Sequence, residues 1–414
     1  MTVRAEAETW LAENWQPNRP LGEWWQALAD SGWGFPTWPK GRFGRGLGPE
    51  AAADVTTARR AMGALAPPSG VGPNLAGPTL LAHGTDEQID RFLPGIVHGT
   101  DVWCQLFSEP SAGSDLAGIR TGAERDGDQW VVNGQKVWTT GAHRARYAIL
   151  IARTDPDVPK HRGITFFAVE MDQPAIEVRP LREMTGRAVF NEVFITDALV
   201  PHENVIGAVG EGWRVAMSTL AHERNYMGTG ASSGGARIDV PDMDLSMPVG
   251  EVLAGAAAQA DQTAPRLRGF PLVAALARQR HLSNDPVVRQ DLVRAYIHGE
   301  VGRMTGVRIQ AAAALGRQAG PEISVQKLAV SRTLHHLGSL ALALEGPSGM
   351  LAGDDAPLDD RAFEVLCTAF VNSIGGGTDQ IQLNIIGERV LGLPAEPRAD
   401  KDLPFSQLPV SGTA

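Results

Sequence analysis

Three stretches of this 414-residue chain gather residue types that can do chemistry. The first is QLFSEPSAGSDLAG, residues 105–118. Its small residues let a backbone approach a ligand closely, and free N–H groups beside the Ser108 and Ser114 hydroxyls can meet a polar ring edge or a pyrophosphate. Alone, an ordinary Ser/Gly turn is the simpler reading. The second is GWRVAMSTLAHERNYMG, residues 212–228. On a helix, Trp213, Ala216, Leu220 and Met227 form one apolar stripe, and Glu223 falls in its middle. Burial raises a carboxylate's pKa toward the range of a general base. The pattern leaves two readings open: a base, or a buried ion pair with Arg224 or another arginine. The third is SIGGGTDQIQ, residues 373–382, where three glycines precede Thr378, Asp379 and Gln380.

Other chemistries are poorly served. The ten histidines show no HExxH or HxH spacing, and the adjacent His335 and His336 cannot aim both rings at one metal from a helix face. No metal site is expected. Two cysteines, Cys104 and Cys367, give neither a disulfide framework nor a CxxC pair, which points to a reducing, cytoplasmic setting. A net charge of −10 argues against nucleic acid or an anionic membrane as the main partner. Local arginines and helix N-termini can still hold phosphates. The N-terminal residues do not read as a signal peptide, and no apolar run approaches the ~20 residues that span a bilayer.

Elements must position these residues, and the grammar changes twice along the chain. Residues 1–103 read as helical: Leu21, Trp24, Trp25 and Leu28 recur at helical spacing, and Thr85 with Gln88 forms a capping box. Residues 104–208 read as a β-domain, a small barrel or sandwich. WVVNGQKVW suggests a hairpin turning at Asn133-Gly134, and YAILIA, GITFFAVEM, IEVRPL and NEVFITDALV are further strands. Residues 209–395 return to helical periodicity, interrupted by a Gly/Pro-rich insertion at about 228–269 that reads as an exposed loop. Residues 396–414 read as an extended tail.

With this order of helices, strands and helices, SEP-x-AGSD and GQKVWTT together resemble the acyl-CoA dehydrogenase family. The likeness runs from LLAHGTDEQIDRFLPGI to IIGERVLGLP. It implies an α+β multidomain fold with an N-terminal helical domain, a middle β-domain and a C-terminal four-helix bundle. It also implies FAD and the oxidation of an acyl-CoA thioester to the 2-enoyl thioester, as in lipid β-oxidation, with an electron-transfer flavoprotein or similar acceptor. By the same resemblance, Gln105, Phe107 and Ser108 hold the flavin's pyrimidine edge and Ser114 meets the pyrophosphate. Trp138 packs beside the isoalloxazine, and Thr140 lies near N5. Arg280 and Gln290 serve the FAD of a neighbouring subunit, and Thr378 and Gln380 close over it, which implies a dimer or tetramer.

Many members keep the catalytic carboxylate just before the Gly-Thr of the third stretch. Gly376 stands there in this chain and retains only its backbone N–H, which can still bond the thioester carbonyl. The isovaleryl and long-chain branches instead place the base on the earlier helix, as the Glu of a Glu-Arg pair. Glu223-Arg224 with Gly376 fits that alternative and makes Glu223 the expected base. Other positions depart from the family: Ala343 replaces a glutamine, Pro347 a glycine, and Ser283 an aromatic residue. They keep two alternatives open. One is a subunit or non-turnover partner of a heteromeric dehydrogenase; the other is a flavin oxidase or monooxygenase on the same fold.

Overall fold

The computed structural model describes residues 2–228, 244–262, 269–314, 320–351, 355–356, 361–397 and 400–408. They form two compact units. The first contains residues 1–182, 188–259 and 398–414; the second contains 183–187 and 260–397.

The first unit opens with helices α1 (Val3–Asn14), α2 (Leu21–Asp30), α3 (Pro49–Ala61), α4 (Gly77–His83) and α5 (Asp86–Val97). Trp24 and Trp25 are fully buried, and each indole donates to the backbone after α3, to Leu65 and Ala66 at 3.1 and 2.9 Å. Burial of such large rings is favourable only when their N–H groups are bonded, and both are. The expected capping box forms at the start of α5: the Thr85 side chain accepts from the Gln88 N–H, and the Gln88 side chain accepts from the Thr85 N–H.

Seven strands follow: β1 (Trp103–Leu106), β2 (Gly122–Asp126), β3 (Gln129–Thr140), β4 (Tyr147–Arg153), β5 (Ile164–Glu170), β6 (Ile176–Leu181) and β7 (Phe190–Pro201). They make one sheet of order β1-β4-β2-β3-β7-β6, with β5 on β4. The β1–β4 and β2–β4 pairs are parallel and the others antiparallel. Every residue of β4 is buried, because both faces of the sheet are covered. Ala148, Leu150 and Ala152 join an inner β-core with Trp130, Phe167 and Val193. Tyr147, Ile149 and Ile151 face the opposite way, into a core shared with α4, α5 and α6. Helix α6 (Gly212–Gly228) lies on that face, against β5 and α4.

Two expectations are corrected. The hairpin turn lies at Gly127, in the left-handed region at φ +58°, between β2 and β3. Asn133 and Gly134 instead sit inside the continuous strand β3, at an irregularity in its pairing with β7. Glycine is required at 134 because a Cβ there would lie 2.4 Å from the Thr121 hydroxyl oxygen. The interval read as an exposed insertion includes helix α7 (Val249–Gln262), whose Val249 and Val252 are buried with the core of α1 and α2. Residues 229–243 and 263–268 of that interval lie outside the described residues.

The second unit is helical: α8 (Phe270–Gln279), α9 (Pro286–Ala314), α10 (Glu322–Glu345), α11 (Arg361–Ile374) and the short α12 (Asp379–Ile385). Leu272, Leu276, Leu337, Leu340 and Leu344 are its core. Helices α10 and α11 cross closely at Gly338, where a Cβ would lie 2.6 Å from the Leu366 Cα. No helix among the described residues is long and apolar enough to cross a membrane.

Candidate active site

Strand β3 carries both Trp138 and Thr140, and a buried ion pair fixes its course. Lys136 is fully buried. Its ammonium donates to Phe107 O at 3.0 Å, Ile151 O at 3.0 Å and the Glu109 carboxylate at 2.9 Å. Glu109 also accepts from the N–H groups of Arg120 (2.7 Å) and Thr121 (2.9 Å). Burial works against the carboxylate, but the Lys136 charge and these bonds outweigh it and hold the Glu109 pKa below the ordinary range. The pair thus ties the loop after β1 to β3 and β4. The sequence did not reveal Lys136, because a lysine in a strand gives no sign of burial.

Beside this clamp the alternation of β3 breaks. Lys136 and Val137 are both buried, and the register with β7 shifts between Lys136 and Thr139. The phase of the strand is thereby reversed, so Trp138 and Thr140 are exposed while Thr139 is buried. Trp138 has φ +63°, rare for a bulky residue; it is 57% exposed and makes a T-shaped contact with Phe190.

Thr140 and Gly141 also line a cavity of about 340 Å³ within the first unit. Its lining also takes in residues 68–73, which include Gly70 and Gly72 and run into one turn of π-helix, Gly72–Ala76. Such turns are frequent at functional sites. Helix α6 packs on this turn. The buried face of α6 is Val215, Ala216 and Thr219, with Trp213 and Leu220 partly buried. Thr219 bonds Thr79 of α4 at 2.8 Å. Glu223 follows Val215 and Thr219 at helical spacing and is half-buried. It is not among the residues lining the cavity. The side chains of Arg224 and Met227 lie outside the described residues, so the expected stripe is described only as far as Glu223.

The other expected residues of this unit lie along β1 and its following loop. Gln105 is partly exposed. The Phe107 side chain is buried edge-on against Phe166, so only its backbone can face a ligand, and its carbonyl is already taken by Lys136. Ser108 is partly exposed, and its carbonyl accepts from Val137 N–H at 2.9 Å. Ser114 is exposed at the end of a loop that Asp115 anchors to Lys160 at 2.9 Å. Lys160 also reaches Asp400 of the tail at 3.3 Å. That tail is docked: Phe405 N–H donates to Val158 O, and the Phe405 ring lies 3.5 Å beneath the guanidinium of Arg153. Arg153 itself donates to Ala117 O and Ile119 O, and burial lowers its pKa to about 10. The Pro-rich composition of the tail hid this anchor.

In the second unit, Arg280 caps the C-terminus of α8 and is partly exposed, and Gln290 is exposed on the first turns of α9. Thr378 caps α12, its hydroxyl accepting from Ile381 N–H at 3.2 Å, and Gln380 is exposed. Gly376 is exposed at φ +63°. Asp379 is engaged by Ser331 at 2.9 Å and Lys327 at 3.4 Å. Among the described residues no cluster of three or more His, Cys, Asp or Glu could hold a metal.

The first unit offers what a flat, polar, anionic cofactor requires. A tryptophan face is left uncovered at the end of β3, and an exposed hydroxyl stands two residues on. The loop 111–115 keeps Ser111, Gly113 and Ser114 exposed, and a Cβ added at Gly113 would meet nothing within 4 Å. These features fit FAD.

Comparison with known proteins agrees. The acyl-CoA dehydrogenase N-terminal, middle and C-terminal domain models match residues 2–100, 104–198 and 268–391. The chain is 39% identical over 368 residues to the acyl-CoA dehydrogenase FadE34 of Mycobacterium tuberculosis, covering 89% of this chain and 46% of that relative. It therefore spans about half of that protein's length. It is 38% identical over 418 residues to the acyl-CoA dehydrogenase IpdE1 of the same organism, covering 95% of this chain and 97% of the relative. Among solved structures, the Tcur3481-Tcur3483 steroid ACAD superposes with a TM-score of 0.67 at 26% identity, over 95% of this chain and 97% of that one. The ChsE4-ChsE5 complex of Mycobacterium tuberculosis gives 0.65 at 26%, with the same coverage. From its N-terminal helices through its sheet to its C-terminal helices, the chain belongs to the acyl-CoA dehydrogenase family.

Proposed function

We propose that the protein is an FAD-dependent dehydrogenase that desaturates an acyl-CoA thioester between Cα and Cβ. One observation supports the reading: Thr140 and Gly141 line a cavity whose lining also includes Gly72 and Pro73 of the π-turn on which the helix of Glu223 packs. The strand that carries a hydroxyl proposed for the cofactor and the turn that supports the helix of a half-buried carboxylate thus both border one cavity of about 340 Å³. FAD, when bound, supplies the hydride acceptor. The residues that would hold it are Gln105, Ser108, Ser114, Trp138 and Thr140, with Arg280, Gln290, Thr378 and Gln380 of the second unit serving it across a subunit interface. Glu223 takes the α-proton. Gly376, without a side chain, contributes its N–H to the thioester carbonyl, where enolate charge develops.

The acyl group is proposed to be bulky, in keeping with the steroid ACAD among the similar structures and with the two glycines, Gly70 and Gly72, in the cavity lining. The test is anaerobic bleaching of the FAD-loaded protein by a panel of acyl-CoA thioesters, followed by reoxidation with an artificial acceptor or an electron-transfer flavoprotein. Absence of bleaching by every thioester refutes the desaturase, and reoxidation fastest with O₂ marks an oxidase instead.

A second reading makes the chain one subunit of a heteromer. It is favoured by the relative of about twice this length and by similar structures that each name two proteins. Val293, Ile297, Val301 and Met304 form an exposed apolar row on α9 that suits a second chain, of either kind. Gel filtration with a flavin spectrum of the protein expressed alone separates homo-oligomer from heteromer.

A further inference from the structure

The loop of Ser114, proposed to meet the cofactor's diphosphate, is held at both ends, and the anchors of its far end stand on the C-terminal tail. At the near end, Glu109 and Ala112 exchange backbone hydrogen bonds at 3.0 and 3.1 Å, and the Glu109 carboxylate is fixed by Lys136. At the far end two cations do the holding. The Lys160 side chain, 14% exposed, donates to Asp115 at 2.9 Å. The buried Arg153 donates to the carbonyls of Ala117 at 2.6 Å and Ile119 at 3.1 Å. Gly113 and Ser114 lie between these ends, and among the described residues nothing accepts from their N–H groups.

Each cation has a tail residue on another side. Lys160 also donates to Asp400 at 3.3 Å. The Phe405 ring, 3.5 Å beneath Arg153, is approached by the Arg120 guanidinium at 5.3 Å as well. The tail is bound in turn to the segment before Lys160. Phe405 N–H donates to Val158 O at 2.9 Å, Ser406 N–H donates to Pro156 O at 2.8 Å, and the Ser406 hydroxyl bonds Asp157 at 3.0 Å. Arg153 donates to Lys160 O at 3.2 Å and so ties the two cations together. Asp115 is exposed, and a lone surface ion pair would add little. Here the two cations are largely shielded from water and share partners, so their contacts act as one network.

We infer that the C-terminal tail is a positioning element for the diphosphate end of the cofactor: it holds Lys160 and Arg153, and through them the backbone of residues 113–119, in the shape that receives the diphosphate. The inference rests on the reading that the loop of Ser114 binds FAD. It goes beyond that reading by tying cofactor affinity to Lys160 and Phe405, which act through the loop.

The test uses the full chain freed of flavin and titrated with FAD, with binding read from the quenching of flavin fluorescence. Lys160→Met removes both ion pairs and keeps the bulk of the side chain; Phe405→Ala frees the tail. Each should weaken FAD about tenfold, the effect of leaving a residue or two of the loop for the ligand to order. The double variant should also lose about tenfold, rather than the roughly hundredfold of two independent losses. Before FAD is added, amide hydrogen exchange in residues 111–120 should be faster in both single variants, while the amides of β5 stay protected. Lys160→Arg, which keeps the charge, should bind FAD nearly as the wild type does. At saturating FAD, each variant should be reduced by an acyl-CoA thioester at the wild-type rate, a loss of cofactor affinity without a loss of turnover. Wild-type FAD affinity in Lys160→Met and Phe405→Ala, unchanged exchange in residues 111–120, or losses that multiply in the double variant overturn the inference and leave the FAD reading standing. A wild-type protein that takes up no FAD refutes the FAD reading and the inference with it.

Discussion

Replacing Lys136 by methionine tests the device that sets β3. The change keeps the length of the side chain and removes a fully buried ammonium with three acceptors. Glu109 would keep the Arg120 and Thr121 N–H groups, but its charge would lose the counter-ion 2.9 Å away. Removing one partner of a buried pair costs about 3–5 kcal/mol. Arg153, which interacts electrostatically with Glu109, tempers the loss toward about 3 kcal/mol. In a unit of this size that lowers Tm by roughly 6–12 °C. The sign with pH is a sharper check. Glu109 has a depressed folded pKa, so in the wild-type protein its contribution is present above the unfolded value, ~4.3, and is lost as pH falls through the folded pKa. In Lys136→Met the folded pKa rises above the unfolded value, and acid relieves the buried charge. The Tm gap between wild type and variant should therefore shrink from pH 7 to pH 4, by differential scanning calorimetry. Lys136→Met with Glu109→Gln should recover part of the gap at pH 7, and FAD content should follow the integrity of the bulge. A gap below about 2 °C at pH 7, or one that widens in acid, would refute the reasoning.

The other expectations concern the proposed chemistry and the packing. Glu223→Gln should slow flavin reduction by ~10²–10⁴ while FAD content is retained, measured by stopped-flow bleaching; near-normal reduction places the base elsewhere. Adding Gly376→Glu to that variant should restore little, because φ +63° at this position strains any L side chain, by roughly 1–2 kcal/mol. Gly338→Ala should destabilise the second unit by about 1–3 kcal/mol in urea titration, since the added carbon would sit 2.6 Å from the Leu366 Cα. Phe405→Ala should release the tail, increase cleavage near residue 400 in limited proteolysis, and cost about 1–2 kcal/mol for the lost cation–π contact and burial.

The features legible in the sequence are local and periodic. The strand YAILIA, the Thr85 cap and the buried face of Leu21, Trp24, Trp25 and Leu28 all depend on neighbours within one or two turns, so their signals are complete in the chain. The SEP-x-AGSD and GQKVWTT motifs carried the family, because close backbone approach and paired hydroxyls restrict residue types at fixed offsets. Tertiary structure decided everything that joins distant segments. Asn133-Gly134 has the composition of a hairpin turn, yet Gly134 is there to admit Thr121, which comes from before β2, across the sheet. Lys136 reads as a solvated strand residue until Glu109, Phe107 and Ile151 converge on it. Burial and hydrogen-bond satisfaction are sums over all neighbours in space, and a single chain of letters lists only the neighbours in sequence.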